Sequence, residues 1–450
     1  MDLLKKVTAL AKRRGFIFPG SEIYGGLANT YDYGPLGSEL LRNIKNLWWQ
    51  FFVTQRENIY GLDTSVLMSP RVWEASGHTD SFTDALIECK QCHQRTRADH
   101  LIEDKLKQKV EGKSLEDLNQ LIEKNKLKCP NCGQFNWTQA KKFNLLFETH
   151  IGIVPENKSL AYLRGETAQG MFVDFKNILD TFSPKLPFGL AQSGKVFRNE
   201  ITRGQNVFRT LEFELAEFEF FIRESEWEKW FEFWQKEIEA FAKLLGVNSK
   251  KLKWRKHDSD ELSHYSKRTE DLEYDFPFGS KEWFACAYRT NFDLKNHMEK
   301  SGVDLNYTDP KTNEKFIPHV IEPTFGLSRT LLVLLIDAYT EEKDRVVLKL
   351  SPKVAPFKMA VFPLLPNKPE LVKAAREVFK TLSQNFSASW DDNGNIGKRY
   401  RRQDEAGTPW CVTVDFDTIK DKAVTVRDRD TMKQERVKIE KLSKYFSEKL

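Results

Sequence analysis

The stretch KVFRNEITRGQNVFRTLEFELAEFEFF, at positions 195–221, contains two strand-like segments around a polar loop, Ile201–Asn206, that includes Arg203. From Val207 onward, the period of two places a mixed set of side chains on one strand face. That face consists of Arg209, Leu211, Phe213, Leu215, Glu217, Glu219 and Phe221. Carboxylates on a largely apolar face are costly to bury, so Glu217 and Glu219 require a reason beyond packing.

A second informative segment follows at residues 316–338, which predict a strand, a turn at Gly326 and a buried helix through Leu331–Ile336. Arg329 lies just inside this apolar helix. An arginine there is costly unless an anion accompanies it. Between the two segments, residues 224–245 predict an amphipathic helix with a large apolar stripe, which is typical of core packing rather than of a cofactor site. The stripe consists of Trp227, Trp230, Trp234, Phe241 and Leu245.

The N-terminal region predicts a helix over Leu3–Arg14 and an aromatic helix over Ser38–Phe52. A stretch rich in Gly, Pro and Tyr, from Gly20 to Gly37, separates them. Composition alone indicates no more than a turn followed by a helix.

Four of the six cysteines form two Cys-x-x-Cys pairs, Cys89/Cys92 and Cys129/Cys132. Two thiolate pairs favour a closed tetrahedral zinc site with a structural role, although 36 residues separate them. His93 and His100 are less favoured substitute ligands. Cys286 and Cys411 stand alone and are expected to pack in the core.

The last hundred residues differ from the rest in charge. Residues 352–450 contain 20 Lys and Arg against 14 Asp and Glu, whereas the whole chain has a net charge of only +5. A basic terminal domain suggests a polyanionic partner, and a solvated basic surface is an equal alternative. Strands at Met359–Leu364 and Trp410–Phe416, with a helix at Glu370–Leu382, predict an α/β domain.

Hydrophobic residues make up 40% and charged residues 30% of the 450 residues, which is typical of a soluble globular protein. No apolar run approaches the roughly 20 residues of a membrane helix, and the N-terminus lacks a signal-peptide pattern. We therefore expect a cytoplasmic protein without a membrane partner.

Three of these segments resemble the motifs of class II aminoacyl-tRNA synthetases. Phe197-Arg198-Asn199-Glu200 with its loop and following strand resembles motif 2, and Gly326-Leu327-Ser328-Arg329 resembles motif 3. The segment 31–38 and its helix resemble motif 1, which implies a homodimer. The resemblance implies that Arg198 binds the α-phosphate of ATP, Glu200 the adenine amino group and Arg329 the γ-phosphate. It further implies that Phe213 stacks on the purine and that Phe208 belongs to the ATP site.

The same resemblance makes Glu282 and Glu322 the carboxylates for the Mg²⁺ that accompanies ATP, an ion that prefers hard oxygen ligands. Without this resemblance, an Arg-x-Glu sequence more often supports a hairpin. Glu282 or Glu322 taken singly could likewise be an ordinary surface residue.

Further strings are similar to the glycyl-tRNA synthetase family. They are residues 164–170 (RGETAQG), 216–219 (AEFE), 289–294 (RTNFDL) and 318–323 (PHVIEP). The resemblance implies a glycine pocket in which Glu166 and Glu217 hold the ammonium group. Its other predicted members are Arg164, Arg289 and Thr324. Because glycine has no side chain, such a pocket must work by excluding larger ones.

The chain departs from this family pattern at three places. Gly165 stands where the family usually has Pro, Thr324 where it has Ser, and Cys286-Ala287-Tyr288 replaces the usual Ile-Ala-Asn or Ile-Ala-Asp. The methyl group of Thr324 could narrow the pocket further. Residues 391–415 resemble the family's anticodon-binding domain, and the basic cluster Lys398–Arg402 could contact phosphates or form internal ion pairs.

Together these features predict an α+β class II core, an antiparallel sheet flanked by helices, with a zinc-binding insert and a C-terminal α/β anticodon-binding domain. The expected boundaries are 1–88 and 141–350 for the core, 89–140 for the insert and 351–450 for the last domain. The expected reaction is ATP-dependent activation of glycine and its transfer to tRNA-Gly. A non-enzymatic synthetase-like nucleic-acid-binding protein is the main alternative, and a synthetase for another small amino acid is the second.

Overall fold

The computed structural model describes residues 2–108, 110, 112–154, 158–201, 206–259 and 261–450, so that Arg203 lies outside the described residues. The helices are α1 (Asp2–Arg14), α2 (Pro35–Trp49), α3 (Pro70–Ala75), α4 (His78–Ser81), α5 (Ala98–Leu106), α6 (Leu115–Lys124), α7 (Ala168–Val173), α8 (Phe175–Phe182), α9 (Trp227–Leu244), α10 (Phe292–Ser301), α11 (Leu327–Ala338), α12 (Pro369–Leu382), α13 (Ile396–Ala406), α14 (Phe416–Asp421) and α15 (Leu442–Ser447).

The strands are β1 (Ile17–Pro19), β2 (Tyr31–Tyr33), β3 (Ile59–Gly61), β4 (Leu67–Met68), β5 (Thr83–Glu88), β6 (Arg95–Arg97), β7 (Lys141–Asn144), β8 (Phe147–Ile151), β9 (Ser159–Leu163), β10 (Phe188–Phe197), β11 (Glu212–Ile222), β12 (Leu252–Lys256), β13 (Arg268–Phe276), β14 (Gly279–Thr290), β15 (Tyr307–Thr308), β16 (Lys315–Phe316), β17 (His319–Gly326), β18 (Tyr339–Glu341), β19 (Val346–Leu348), β20 (Met359–Pro363), β21 (Ala388–Trp390), β22 (Trp410–Val414), β23 (Ala423–Asp428) and β24 (Gln434–Lys438).

A seven-stranded sheet forms the centre of the molecule, in the order β12-β13-β14-β17-β11-β10-β3. Its neighbours pair antiparallel, apart from the parallel pair of β10 and β3. The predicted antiparallel sheet flanked by helices is therefore confirmed. In the register of β11 and β17, Glu217 lies opposite Thr324 and Leu215 lies opposite Gly326.

The two faces of β11 have different surroundings because successive side chains of a strand point to opposite sides. Phe218, Phe220 and Ile222 belong to the main hydrophobic core, together with buried residues of α2, α9 and α11. The opposite face carries the odd-numbered side chains, including Glu217 and Glu219. The sheet thus presents the carboxylates on the side away from its largest core.

The strand predicted from Val207 begins only at Glu212, because residues 206–208 form a 3₁₀ turn. Asn206 has a φ of 57°, which is the left-handed region, and its side chain accepts a hydrogen bond from the Val207 N–H at 2.8 Å. Arg209 and Leu211 are therefore not part of the strand face, so this part of the prediction is wrong. A period of two does not distinguish an extended turn from a strand.

The inserted segment forms a small unit around a three-stranded sheet in the order β6-β5-β7. The helices α5 and α6 bury apolar side chains against this sheet. The helix predicted to Lys128 ends at Lys124, and Leu127 beyond it is buried with its carbonyl accepting from Trp137.

The C-terminal region contains a five-stranded sheet in the order β21-β20-β22-β23-β24. Three neighbouring strands are parallel and the last two pairs are antiparallel. Helix α12 packs its buried side chains onto this sheet, which confirms the α/β prediction. Nowhere in the described ranges is a helix both long enough and apolar enough to cross a membrane.

Candidate active site

Arg198 follows the last residue of β10 and lies between two aromatic rings. Its Cζ is 5.1 Å from the ring centroid of Phe82 and 5.4 Å from that of Phe213. Its Nε donates to the carbonyl of Gly165 at 3.0 Å. This arrangement fixes the plane of the guanidinium, and within the described part of the chain its two terminal nitrogens donate to no protein acceptor. A planar fork held in this way suits a phosphate.

Arg329, at the start of α11, is the second arginine of the site. It lies 3.1 Å from a carboxylate oxygen of Glu282 and donates to the Glu282 carbonyl at 2.7 Å. Its Cζ is 4.4 Å from the ring centroid of Phe208, so Phe208 supports this arginine directly. Partial burial opposes ionisation of Glu282, but the charges of Arg329, Arg198 and Arg209 lower its pKa overall. The carboxylate of Glu282 therefore compensates the positive charge of Arg329 in its apolar helix.

Two further arginines belong to this positive region and were not predicted as site residues. Arg209 lies 3.8 Å from Glu200 and Arg97, from the insert, lies 2.8 Å from Asp84. Burial lowers the pKa of Arg209, the charge of Glu200 opposes this shift, and the charges of Arg97 and Arg329 add to it. The Arg209 side chain was visible in the sequence pattern, whereas nothing in the sequence linked Arg97 to this region.

Glu217 lies at the other end of the same strand face. One of its oxygens accepts from the backbone N–H of Thr167 at 2.8 Å and from the Thr167 hydroxyl at 2.6 Å. Among the residues that the structure describes, the other oxygen has only a long contact, 3.5 Å, with the Thr324 hydroxyl. Burial raises the pKa of Glu217, and the charge of Glu166 adds to this effect. Thr324 thus contacts the predicted ammonium ligand, and one oxygen of Glu217 keeps capacity for a further donor.

Glu166 is held more completely than Glu217. Gln169 donates to one oxygen at 2.9 Å, and the Nε2 of His78 lies 3.1 Å from the other. Arg289 is 3.7 Å away. Burial opposes ionisation of Glu166, but His78 and Arg289 together lower its pKa well below the usual range. Glu166 is therefore an anion through contacts that the protein itself provides.

Arg289 is fully buried and joins Glu322 to α10. It donates to Glu322 at 2.7 Å and to both oxygens of Asp293 at 2.8 and 2.9 Å. Its guanidinium also stacks on Tyr265, 3.7 Å from the ring centroid. Arg289 thus fixes the walls of the pocket.

The structure does not bring Glu322 and Glu282 together as one magnesium site. Glu322 lies opposite Ala287, and Glu282 is five residues farther along β14, which corresponds to about 16 Å. Two glutamates at that separation cannot share one Mg²⁺, which holds its oxygen ligands at about 2.1 Å. Glu322 instead joins the carboxylates around Arg289. The assignment of Glu282 and Glu322 as magnesium carboxylates stays a prediction, and the strand register implies that the two would not hold the same ion.

Glu219 lies opposite Glu322 across β11 and β17, since Phe220 pairs with Ile321 and Glu217 with Thr324. It is 0% exposed, and neither of its carboxylate oxygens has a hydrogen-bond partner within the described residues. Burial raises the pKa of Glu219 well above its usual value, and the facing Glu322 raises it further. Burial also raises the pKa of Glu322, to about 8, although Arg289 opposes this shift.

Arg164 has a structural position beside the pocket. Its Nε donates to the Lys195 carbonyl and one terminal nitrogen to the Thr64 carbonyl, both at 2.8 Å. The remaining nitrogen lies against Gly194, where a side chain would collide with it. A direct contact of Arg164 with substrate stays a prediction.

The sulfur atoms of Cys89, Cys92, Cys129 and Cys132 all lie within 4.8 Å of one another. Two of the separations are 3.6 Å. Thiolates placed about 2.3 Å from a tetrahedral zinc would be about 3.8 Å apart, so the cluster fits this ion. Among the described residues the cluster includes neither His93 nor His100. The Asn131 side chain and the Gln94 backbone lower the pKa of Cys92 to about 6, whereas, against a backbone hydrogen bond from Gln134, burial and the neighbouring thiols raise the pKa of Cys132.

Three family models match the chain. The tRNA synthetase class II core domain (G, H, P, S and T) matches residues 148–338, and an anticodon binding domain matches residues 358–449. The glycyl-tRNA synthetase insertion domain 1 matches residues 105–145. With the antiparallel sheet and its two arginines, these matches define the class as that of the class II tRNA synthetases.

Curated relatives narrow this class. The chain is 50% identical to the glycine–tRNA ligase of Caldanaerobacter subterraneus subsp. tengcongensis, over 99% of this chain and 98% of the relative. It is 50% identical to that of Clostridium acetobutylicum, with the same coverage, and 48% identical to that of Bacillus anthracis, over 100% of both chains. The chain therefore belongs to the glycine–tRNA ligase family.

Proposed function

We propose that this chain activates glycine with ATP to form glycyl-adenylate and then transfers the glycyl group to the 3′ end of tRNA-Gly. The observation that carries the proposal is the arrangement on one face of β11. Phe213 lies beside Arg198, and Glu217 lies with Glu166 and Glu322 in what we call the acidic pocket. Phe213 and Glu217 are four residues apart on the strand, or roughly 13 Å. This separation matches an adenylate whose base lies at one end and whose amino group lies at the other.

The proposed reaction begins with in-line attack of the glycine carboxylate on the α-phosphorus of ATP, which releases pyrophosphate. Arg198 and Arg329 neutralise the charge that develops on the phosphates, because both guanidinium groups are already fixed by protein contacts. Catalysis then depends on positioning and charge neutralisation, and the carboxylate nucleophile requires no protein base. Mg²⁺ bound with ATP would add further neutralisation, and Glu282 is the residue best placed to hold it.

Selectivity for glycine is proposed to arise from the walls of the acidic pocket. An ammonium group would donate to the free oxygen of Glu217 and would lie close to Glu166 and Glu322. Thr324 contacts Glu217 from the opposite strand and takes up space beside it. A substrate with a side chain would have to displace these buried groups, so exclusion rather than attraction provides the discrimination.

Binding of tRNA through the C-terminal domain is proposed for the exposed members of the basic cluster. Lys398 is exposed, and Arg401 has 46% of its side chain accessible although one of its nitrogens lies 3.7 Å from Asp404. Arg399 is buried with its nitrogens on the carbonyls of Pro363 and Gly394, and Arg402 pairs with Asp391 at 2.7 Å. Only the first two are therefore suited to bind phosphates.

A homodimer is proposed from the apolar side chains near the segment that resembles motif 1. Ile23 and Tyr24 are 88% and 87% exposed, and Leu27 is 58% exposed. A second subunit would cover this patch. Light scattering of the Ile23→Ser/Tyr24→Ser variant tests the dimer, which should dissociate at concentrations where the unmodified chain stays dimeric. A cytoplasmic location stays a prediction.

A structural zinc on the four cysteines is proposed to hold the insert together. Elemental analysis of chelator-washed protein should give one zinc per chain, and folding of the insert should depend on it. The Cys411→Ser variant, which removes a buried cysteine outside the cluster, should keep its metal, whereas Cys129→Ser should lose it. Metal-free protein with four titratable thiols and a folded insert would refute the site.

ATP–pyrophosphate exchange across the twenty amino acids tests the proposed function. Exchange should depend on glycine. Arg198→Ala should lower its rate by on the order of 10²–10³ without unfolding the protein, since one preorganised phosphate contact is lost. Arg223→Ala is a matched control, because Arg223 lies beyond the far end of β11 and pairs with Asp309 and Glu314. Normal exchange in Arg198→Ala would overturn the assignment of this residue.

A further inference from the structure

A short segment between α3 and β5 brings His78 against the glycine pocket. Helix α3 ends at Ala75, and Gly77 then turns the chain with a φ of 78°. A side chain at Gly77 would also come within 3.0 Å of the His264 ring, so glycine fits both the conformation and the space. The turn starts α4 with His78 buried at 3% exposure.

The imidazole of His78 packs against two aromatic rings, at interplanar angles of 74° and 59°, and has a partner at each nitrogen. The rings of Trp73 and Phe82 each have their centroid 5.2 Å from that of His78. Nδ1 lies 2.8 Å from the Ser76 hydroxyl, and Nε2 lies 3.1 Å from the carboxylate of Glu166. The ring therefore has one orientation in which both nitrogens have partners.

The hydrogen-bond pattern determines which nitrogen carries a proton toward Glu166. The Ser76 hydroxyl can donate its hydrogen either to Nδ1 or to the Trp73 carbonyl, which is 3.2 Å away. In the first case the proton of a neutral ring is on Nε2, which can donate to Glu166. In the second case Nδ1 donates to Ser76, and Nε2 can also donate to Glu166 only if the ring is an imidazolium. An ionised Glu166 has no proton to give, so donation from the Ser76 hydroxyl to Nδ1 is the arrangement in which a neutral ring donates to Glu166.

Glu166 needs such a donor because it is buried among charged groups from several elements. Burial favours its protonation, whereas His78 and Arg289 favour the anion. A protonated Glu166 would lose its attraction for an ammonium group. The groups around the pocket are Glu217 and Glu219 on β11, Glu322 on β17, Arg289 on β14, Asp293 and His297 on α10, and Tyr265 before β13.

We propose that His78 is a positioning residue for glycine, whose Nε2–H keeps the Glu166 carboxylate ionised and aimed at the substrate ammonium. The inference rests on the proposed function, since it requires glycine in this pocket. His78 acts through Glu166 and touches neither ATP nor the reacting atoms. Its loss should therefore affect the saturation of the enzyme by glycine and leave its saturation by ATP unchanged.

Glycine and ATP titrations of ATP–pyrophosphate exchange test this role. His78→Leu should raise the KM for glycine about ten- to hundredfold, the effect of losing a hydrogen bond to a charged group, and should change the KM for ATP less than about twofold. His78→Gln places an amide N–H near the position of Nε2 and should recover most of the loss. His319→Leu is the matched control, because His319 is a buried histidine bonded to Tyr288 rather than to the pocket.

A double-mutant cycle separates positioning from a general packing role. In a Glu166→Gln background, His78→Leu should add little to the KM for glycine, because the group through which it acts is already neutral. If His78→Leu does not fold, Ser76→Ala provides the same test, with a smaller rise in the KM for glycine alone.

Several outcomes would overturn the proposal. They are parallel rises in both KM values, a glycine KM unchanged in a folded His78→Leu or Ser76→Ala variant, and an undiminished His78→Leu effect beside Glu166→Gln. Glycine-dependent ATP–pyrophosphate exchange by the unmodified protein is a separate measurement that tests the proposed function. Its absence would refute the proposed function, whereas its presence with an unchanged His78→Leu variant would refute only this inference.

Discussion

Two buried clusters of charged side chains differ in how their charges are compensated. The proposed glycine pocket contains five carboxylates, each at most 6% exposed, around the positive charge of Arg289. They are Glu166, Glu217, Glu219, Asp293 and Glu322. The second cluster joins the core to the C-terminal domain and consists of arginines paired with carboxylates. There Arg345 and Arg427 lie 3.0 and 2.8 Å from the carboxylate of Asp404.

The arginines of the second cluster have further partners within the protein. Arg345 lies 2.7 Å from Glu342 and Arg429 lies 2.8 Å from Asp430, although one terminal nitrogen of Arg345 has no hydrogen-bond partner among the described residues. Arg345 also donates to the Arg429 carbonyl, and Arg429 donates to the carbonyls of Leu350 and Gly407. A carbonyl has two lone pairs and can accept an arginine in addition to its backbone partner. Backbone N–H groups inside a sheet are already paired, so a buried carboxylate such as Glu219 finds fewer protein partners than a buried arginine does. The buried excess of acid in the pocket therefore points to a cationic ligand, whereas the arginines of the second cluster are compensated by protein carboxylates and carbonyls.

The largest expected effect is the loss of stability when the second cluster loses Asp404. Asp404→Ala should destabilise the protein by about 3–5 kcal/mol, because the buried Arg427 would lose its carboxylate and Arg345 would lose one of its two, keeping only Glu342. The KM for glycine should not change in the fraction that stays folded. Denaturant unfolding and exchange kinetics of the variant measure the two quantities.

Asp417→Ala is the control for this prediction. Asp417 pairs with Lys420 at 3.8 Å, but both side chains are at least 76% exposed, so its loss should have little effect on stability. A similar free energy of unfolding for both variants would contradict the distinction between the buried cluster and the surface. A specific rise of the glycine KM in Asp404→Ala would contradict the separation of the two clusters.

The next effect concerns the acidic pocket. Glu217→Ala should weaken glycine use by roughly 1.5–3 kcal/mol, since a charge-assisted contact is lost. It should also leave room for a methyl group, so that alanine is discriminated against less. Adenylation of glycine and alanine by both proteins measures the ratio, and Glu228→Ala, an exposed glutamate on α9, is the control. An unchanged ratio with intact glycine activity would show that the pocket lies elsewhere.

The sequence allowed the prediction of residues whose chemistry is local in the chain. The cysteine pairs, the strand with Glu217 and the helix with Arg329 were identified because spacing and periodicity report directly on such elements. The register of β14, β17 and β11 is a long-range property. This is why Glu322 was assigned to magnesium rather than to the pocket, and why the Glu219–Glu322 opposition was not foreseen.

His78 was missed for a related reason. It lies in a short segment without periodicity, and its partner Glu166 is 88 positions away. Only the fold brings Trp73, Ser76, His78 and Glu166 together. A histidine beside a glycine turn carries no signal by itself, since most such residues are structural.

The smallest expected effect is a change in melting temperature when Glu219 is replaced. Burial and the facing Glu322 raise the pKa of Glu219. Above the usual pKa of a glutamate, the unfolded chain loses this proton while the folded chain keeps it, so rising pH favours the unfolded state. Glu219→Gln has no proton to lose. The melting temperature of Glu219→Gln should therefore match that of the unmodified protein near pH 5 and exceed it progressively toward pH 8.5, without substrate. Glu228→Gln should show no such trend. A difference that stays constant or falls with pH would mean that Glu219 is ionised without substrate and that a protein group compensates it.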